Sequence, residues 1–166
     1  MNLLIENRHS IRKYKPGIII TRDQIDVLLT AAMHAPSARN TRPWEFIAIT
    51  NRKTLDDIPK IHPYAAMCQT AGAAIIVVAV PSSDAPGYYA QDCAAATENI
   101  LLQAVDMGLG TCWCGVYPRE ERVRALRDYF KIPEPKVPFN VIAVGTPDEK
   151  PAKRGFFEVS KVTYID

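Results

Sequence analysis

Apolar positions change their spacing along the chain, and each change predicts an element. Residues 2–8 read as a short helix leading to Arg8. Thr21-Arg22-Asp23-Gln24 has the form of a capping box, in which the threonine accepts from a first-turn amide and the glutamine reaches back. Behind it Ile25, Leu28, Leu29, Ala32 and Met33 recur at helical spacing, predicting a helix that ends before Pro36. Trp44 to Thr50 is strand-like, and Lys53 to Ile58 fits one or two helical turns. Ala73 to Val80 is a continuous apolar run rich in β-branched residues, as in a strand covered on both faces, and Pro81 ends it.

The longest helical pattern runs from Tyr88 to Leu109. Cys93, Ala94, Ala95, Ala96, Ile100, Leu101, Leu102, Ala104, Val105 and Met107 spread around nearly its whole circumference, and a helix apolar all round is buried all round. A small domain covers such a helix poorly. The expectation is a central helix that partly lines an interface between two copies; a helix buried within one copy is the alternative. Gly108-Leu109-Gly110 stops it, the glycines supplying a left-handed exit. Thr111 to Tyr117 reads as a strand, Arg119 to Tyr129 as an amphipathic helix after Pro118, and Phe139 to Val144 as a strand ending at Gly145. From Thr146 the tail begins polar, with Pro147 and Pro151 opposing regular structure, and Val159 to Ile165 reads as a strand-like end. Helices and strands interleave without clean βαβ alternation, so the expected class is α+β, in one domain over residues 1–166.

Composition narrows the function classes. Of the 166 residues 48% are hydrophobic and 23% charged, an ordinary globular balance, and the net charge of +2 is too small to argue for nucleic acid or a membrane surface. Any positive site must be local. No apolar run approaches the ~20 residues that span a bilayer, and the N-terminus has an early Glu6 and no apolar stretch of a signal peptide, so a cytoplasmic protein is expected. Cys68, Cys93, Cys112 and Cys114 are too scattered for a disulfide framework; Cys112-x-Cys114 lacks the second ligand pair of a structural zinc. They read as buried apolar residues, and no metal is expected. His34 and His62 read as surface or interface residues. No Ser-His-Asp or paired-carboxylate arrangement stands out, which leaves hydrolysis without support.

Four segments carry candidate chemistry. Arg8, Ser10 and Arg12, with His9 between them, could hold a phosphate through charge-assisted donors and a hydroxyl; a solvated basic segment is the alternative. Arg8 and Arg12 share a face if the segment is helical, and all three share one if it is extended. Ala35-Pro36-Ser37-Ala38-Arg39-Asn40-Thr41-Arg42-Pro43-Trp44 is a polar loop between a helix and a strand. Gly108-Leu109-Gly110-Thr111-Cys112-Trp113-Cys114-Gly115 fails as a dinucleotide fingerprint, because no strand precedes it and no helix starts at its end. Gly145-Thr146-Pro147 is followed by Lys150, Lys153 and Arg154.

In this order, over roughly residues 4–155, the four segments resemble the nitroreductase family of small dimeric FMN oxidoreductases. The resemblance implies a mixed, mostly antiparallel central sheet flanked by helices, and a homodimer with composite sites at its interface. It implies a tail that from about residue 146 extends over the partner subunit. It assigns Arg8 and Ser10 to the phosphate and ribityl end of FMN, with His9 in the same element, and Arg12 to the pyrimidine side. There a cation stabilises the charge that develops on reduction. Pro36, Ser37, Ala38 and Asn40 would reach the isoalloxazine bound mainly by the other subunit, and backbone amides near Cys114 and Gly115 would face flavin N5. Arg154 would close the phosphate site, with Lys153 one place off the usual spacing. Arg42 stands where the family usually has glutamine. No side chain is expected to act as a catalytic acid or base. NADH or NADPH would give hydride to the flavin, and a small acceptor such as a nitroaromatic or a quinone would then take the electrons by a ping-pong route. Flavin reduction, dehalogenation and non-enzymatic FMN binding are the alternatives.

Overall fold

The computed structural model describes residues 2–152 and 155–165. Helix α1 (Leu3–Asn7) is capped by Asn2, and α2 (Arg22–Met33) opens with the expected capping box: Gln24 N donates to Thr21 Oγ1 at 3.3 Å and Thr21 N to Gln24 Oε1 at 3.0 Å. Strand β1 (Trp44–Ile49) is followed by α3 (Arg52–Ile61), capped by Asn51. Strand β2 (Ala73–Ala79), α4 (Tyr89–Asp106), β3 (Gly110–Gly115), α5 (Glu120–Phe130) and β4 (Val137–Gly145) complete the order. Helix α3 runs past its expected end at Ile58, with Pro59 inside its last turn. There Asp57 accepts from Lys53 Nζ at 2.8 Å, Lys60 Nζ at 2.6 Å and Tyr129 Oη of α5 at 2.9 Å, which ties that turn down despite the proline.

The strands form one sheet in the order β1-β2-β4-β3, and all three ladders are antiparallel. The mixed character expected reduces, among the described residues, to one isolated parallel bridge between Ser10 and Thr111. Every residue of β2 is buried, because alternate side chains serve two cores. Ala73, Ile75 and Val77 meet α2 and α4 residues such as Leu28 and Ile100, whereas Ala74, Ile76 and Val78 meet Leu55, Ile58 and Leu126 of α3 and α5.

Three expectations change. Within the chain α4 is not buried all round: Cys93, Ala96, Ile100, Leu101 and Ala104 are buried, but Ala94, Ala95, Leu102 and Val105 are half-buried, so one face lacks full cover. The left-handed exit after α4 falls to Gly108 alone (φ 69°). Gly110 is a strand residue kept small by packing, since a Cβ there would lie 2.9 Å from the Ile11 side chain. Val159 to Ile165 forms no strand; Val159–Lys161 is a 3₁₀ turn, and no ladder among the described residues offers this segment a partner.

The segment that carries Arg8 to Arg12 is stitched along the sheet. Ile11 N donates to Thr111 O at 2.8 Å and Lys15 N to Thr146 O at 2.9 Å, and Tyr14, 3% exposed, donates from its hydroxyl to Ile11 O at 2.7 Å and Ala143 O at 3.3 Å. A Cβ on Gly145 would lie 2.7 Å from the Tyr14 ring, so the tyrosine fits because this position is glycine.

Candidate functional site

Arg8 leaves α1 with extended backbone (φ −69°, ψ 115°), and no helix covers residues 8–13. An extended segment puts alternate residues on one side, so Arg8, Ser10 and Arg12 project together while Ile11 is buried. All three, with His9, line a cleft of about 580 Å³ whose other contributors include Ile5, Glu6, Pro151 and Phe156 and Phe157 of the tail. Two acidic groups set the arginines. Glu98 of α4 lies 3.5 Å from Arg8 Nε; its burial pushes its carboxyl up, and Arg8 opposes that. Glu149 Oε1 accepts from the backbone amides of Arg12 and Lys13, and these bonds, the Arg12 one foremost, hold its carboxyl below the usual range. Two guanidinium forks and a hydroxyl on one side of an open cleft suit a phosphate monoester.

Beyond Thr111 the N-terminal segment leaves β3, and among the described residues no other strand pairs with that edge. In an antiparallel ladder a residue turns its N–H and C=O to the same side, alternately toward and away from its neighbour. Thr111 O is taken by Ile11 on the outer side, and Val116 N donates to Phe139 O of β4 on the inner side. Trp113 and Gly115 therefore face outward and Cys114 inward. Of the two amides expected to face a ring, that of Gly115 points to the open edge and that of Cys114 to β4. The Cys114 thiol is buried, 3.4 Å from Tyr64 O and 3.8 Å from Met67 Sδ. A Cβ on Gly115 would meet nothing within 4 Å, and its backbone is not left-handed, so nothing in this chain requires glycine here. Gly115 is exposed and the place of its missing side chain is empty, which leaves room for a flat ligand beside the strand end.

The Gly115 carbonyl is held by two side chains that the sequence pattern did not place in the site. His62 Nε2 lies 2.9 Å from it, and Arg122 Nη1 donates to it at 2.9 Å. His62 is 1% exposed, not a surface residue, and burial lowers its pKa, with the Arg122 charge adding to the effect. His34 is exposed.

The loop after α2 is built differently. Arg39, Asn40 and Arg42 have φ of 50°, 56° and 48°, a conformation unfavourable for residues with a Cβ. It is held by Ala38 N to Asp92 Oδ1 (3.0 Å), Arg42 N to Ser37 Oγ (2.9 Å) and Arg42 Nε to Asn40 Oδ1 (3.0 Å). Asp92 is 5% exposed, and its other oxygen, Oδ2, is buried without a hydrogen-bond partner. Arg42 is thus spent on shaping the loop. The structure gathers Arg8, His9, Ser10 and Arg12 around one cleft; Pro36, Ser37, Ala38, Asn40, Cys114 and Gly115 do not line it. Arg154, expected to close the phosphate site, and its neighbour Lys153 lie outside the described residues.

The sequence model of the Nitroreductase family matches residues 5–74 and 62–146. The chain belongs to the nitroreductase family. A protein of Methanothermobacter thermautotrophicus named "Putative NADH dehydrogenase/NAD(P)H nitroreductase" is 46% identical over 159 residues, covering 95% of this chain and 83% of its own length. A crystal structure of the same name from Parabacteroides distasonis has a TM-score of 0.91 at 38% identity, covering 98% of this chain and 95% of its own. An FMN-dependent nitroreductase of Clostridium difficile has a TM-score of 0.88 at 27% identity, with 98% of each chain covered. This nitroreductase is accordingly an oxidoreductase, and its α+β fold is that of the family. Among its described residues no helix is long and apolar enough to cross a membrane, and no group of three or more His, Cys, Asp or Glu residues is placed to hold a metal ion.

Proposed function

We propose that this nitroreductase holds FMN along the outer edge of β3 and uses it to move electrons from NADH or NADPH to a small acceptor, such as a nitroaromatic or a quinone. One observation carries the reading: an arginine-serine-arginine cleft lies where residues 8–12 join the β3 edge, and further along the same edge Gly115 is exposed, with room where a side chain would be. Four residues of strand, about 13 Å, separate the Thr111 bridge from Gly115, so a phosphate and a ring are held at two points of one rigid element. A phosphate monoester fits the first point and a planar ring edge the second. The FMN-dependent relative from Clostridium difficile and the NAD(P)H relative from Methanothermobacter support the same assignment.

Arg8 and Ser10 bind the phosphate and ribityl end, with His9 beside them, and Arg12 brings positive charge toward the pyrimidine side. Gly115 N–H donates at the ring edge. When bound, FMN supplies the hydride chemistry; the protein orients it and needs no side chain as acid or base. The shaped loop of Pro36, Ser37, Ala38 and Asn40 completes the site of a second copy. The half-buried face of α4 is the centre of that homodimer, and the tail lies over the partner subunit. Its large apolar residues are exposed within one chain, Phe156 by 84%, Phe157 by 72%, Tyr164 by 70% and Ile165 by 94%. The setting is cytoplasmic.

The test is the visible spectrum of the purified full-length chain, followed by anaerobic addition of NADH or NADPH and then of an acceptor. The expected result is a flavin spectrum that bleaches and recovers, from a protein that sediments as a dimer. A protein that takes up no FMN overturns the cofactor; one that binds it without bleaching is a flavin-binding protein with no such activity.

A further inference from the structure

Gly115 is placed by two side chains from two helices. His62 caps the C-terminus of α3, and Arg122 lies in the first turn of α5; both reach the same carbonyl oxygen at 2.9 Å. The histidine's bonding assigns its tautomer. Tyr64 N, which can only donate, lies 3.2 Å from His62 Nδ1, so Nδ1 accepts and Nε2 carries the proton given to Gly115 O. Protonating the ring would turn a second N–H onto the Tyr64 amide. The Arg122 guanidinium lies 5.0 Å from the centre of the Tyr64 ring, and its buried Nε has no partner. Two strong donors, one of them fully buried, are thus directed at a single backbone carbonyl.

We infer that His62 and Arg122 are positioning residues that fix the Gly115 peptide edge for the flavin ring, an inference that rests on the FMN reading above. A glycine leaves room for a ring but gives up the torsional restraint that a Cβ imposes. At the end of β3 the loss matters most, because among the described residues the outer side of this strand has no neighbouring strand beyond Thr111. Holding the carbonyl from two directions sets ψ of Gly115 and with it the angle at which the strand ends. The edge then combines empty space with a fixed amide, and orientation of this kind is a large part of what a protein contributes to cofactor chemistry. Neither residue touches the ring in this role; both act through Gly115.

The test compares His62→Leu with His62→Gln, whose side-chain amide can still donate. Hydrogen exchange of the Val116 amide, which shares a peptide unit with the Gly115 carbonyl and donates to Phe139 O, is read by NMR on the full chain without flavin, and flavin reduction by NADH is read by stopped flow after FMN loading. In the leucine variant, Val116 exchange rises and flavin reduction slows by about tenfold each, the scale of one hydrogen bond, while FMN affinity changes less than about threefold. Glutamine restores most of both. Unchanged Val116 exchange in the leucine variant, or glutamine behaving as leucine does, overturns the inference. So does loosened Val116 exchange with unchanged flavin reduction. If His62→Leu does not fold, Arg122→Met, altered at a half-buried position, is followed by the same two measurements: faster exchange with slower reduction supports the clamp, and no change in either overturns it. A wild-type chain that takes up no FMN overturns the cofactor reading alone, and the exchange measurement still decides whether the clamp restrains the Gly115 carbonyl.

Discussion

Residues 8–14 and residues 36–42 are both short, polar and rich in arginine, and they are held in opposite ways. The first segment lies extended and takes its shape from distant partners: Thr111, Ala143, Thr146 and Glu149. The second closes mostly on itself, through Ser37, Asn40 and Arg42, with Asp92 as its one anchor from α4. Three of its non-glycine residues sit at positive φ. One segment adapts to the sheet, whereas the other stores backbone strain against nothing in its own chain. Strain of that kind persists where a fixed shape is used, and the use proposed above is a site shared with a second copy.

The largest effect that separates them is on cofactor affinity. Arg8→Ala removes a charged donor from the cleft and should weaken FMN binding by about 1.5–3 kcal/mol, read by fluorescence titration. An unchanged affinity would place Arg8 in service of Glu98 alone. The second effect is on stability. Arg39→Gly relieves a left-handed backbone and should stabilise the chain by about 0.5–1 kcal/mol in thermal melts, whereas glycine at Arg8, where φ is −69°, should cost a similar amount or more. A destabilised Arg39→Gly would show that the loop is not strained. The smallest effect is on pH dependence. The Glu149 carboxyl is held low by the Arg12 and Lys13 amides, so its contribution is complete above the ordinary glutamate value of about 4.3 and is lost as pH falls toward the depressed one. The difference in Tm between wild type and Glu149→Gln should therefore be widest near neutral pH and close on acidification. The loop of residues 36–42 contains no titrating carboxylate to imitate this.

The sequence made legible what depends on near neighbours. The capping box of α2 and the doubly covered β2 need only local spacing, and both stand as read. For Arg8, Ser10 and Arg12 the sequence left two arrangements open, and the extended backbone decides that all three share a side. What escaped reading depends on pairings far apart in the chain. Glu149 lies 137 residues from the Arg12 amide that it accepts from, and His62 lies 53 from Gly115. A lone histidine after a helix carries no local mark of burial, since only the fold brings a carbonyl to its ring. Gly110 misled for the same reason: glycine beside a helix end reads as a turn, and only the approach of Ile11 reveals a packing role. The Val159 to Ile165 tail has a strand's alternation but, among the described residues, no strand beside it, and periodicity alone does not supply the partner.

Tyr14 gives residues 8–14 one more property. Its phenol crosses from Ile11 to Ala143 while its ring fills the notch over Gly145, so residues 11–15 cannot lift away without breaching β4, a central strand. A stretch outside the four-stranded ladder would ordinarily open on its own. Tied in this way, residues 11–15 are expected to open together with the sheet, their amides exchanging as slowly as those of β4.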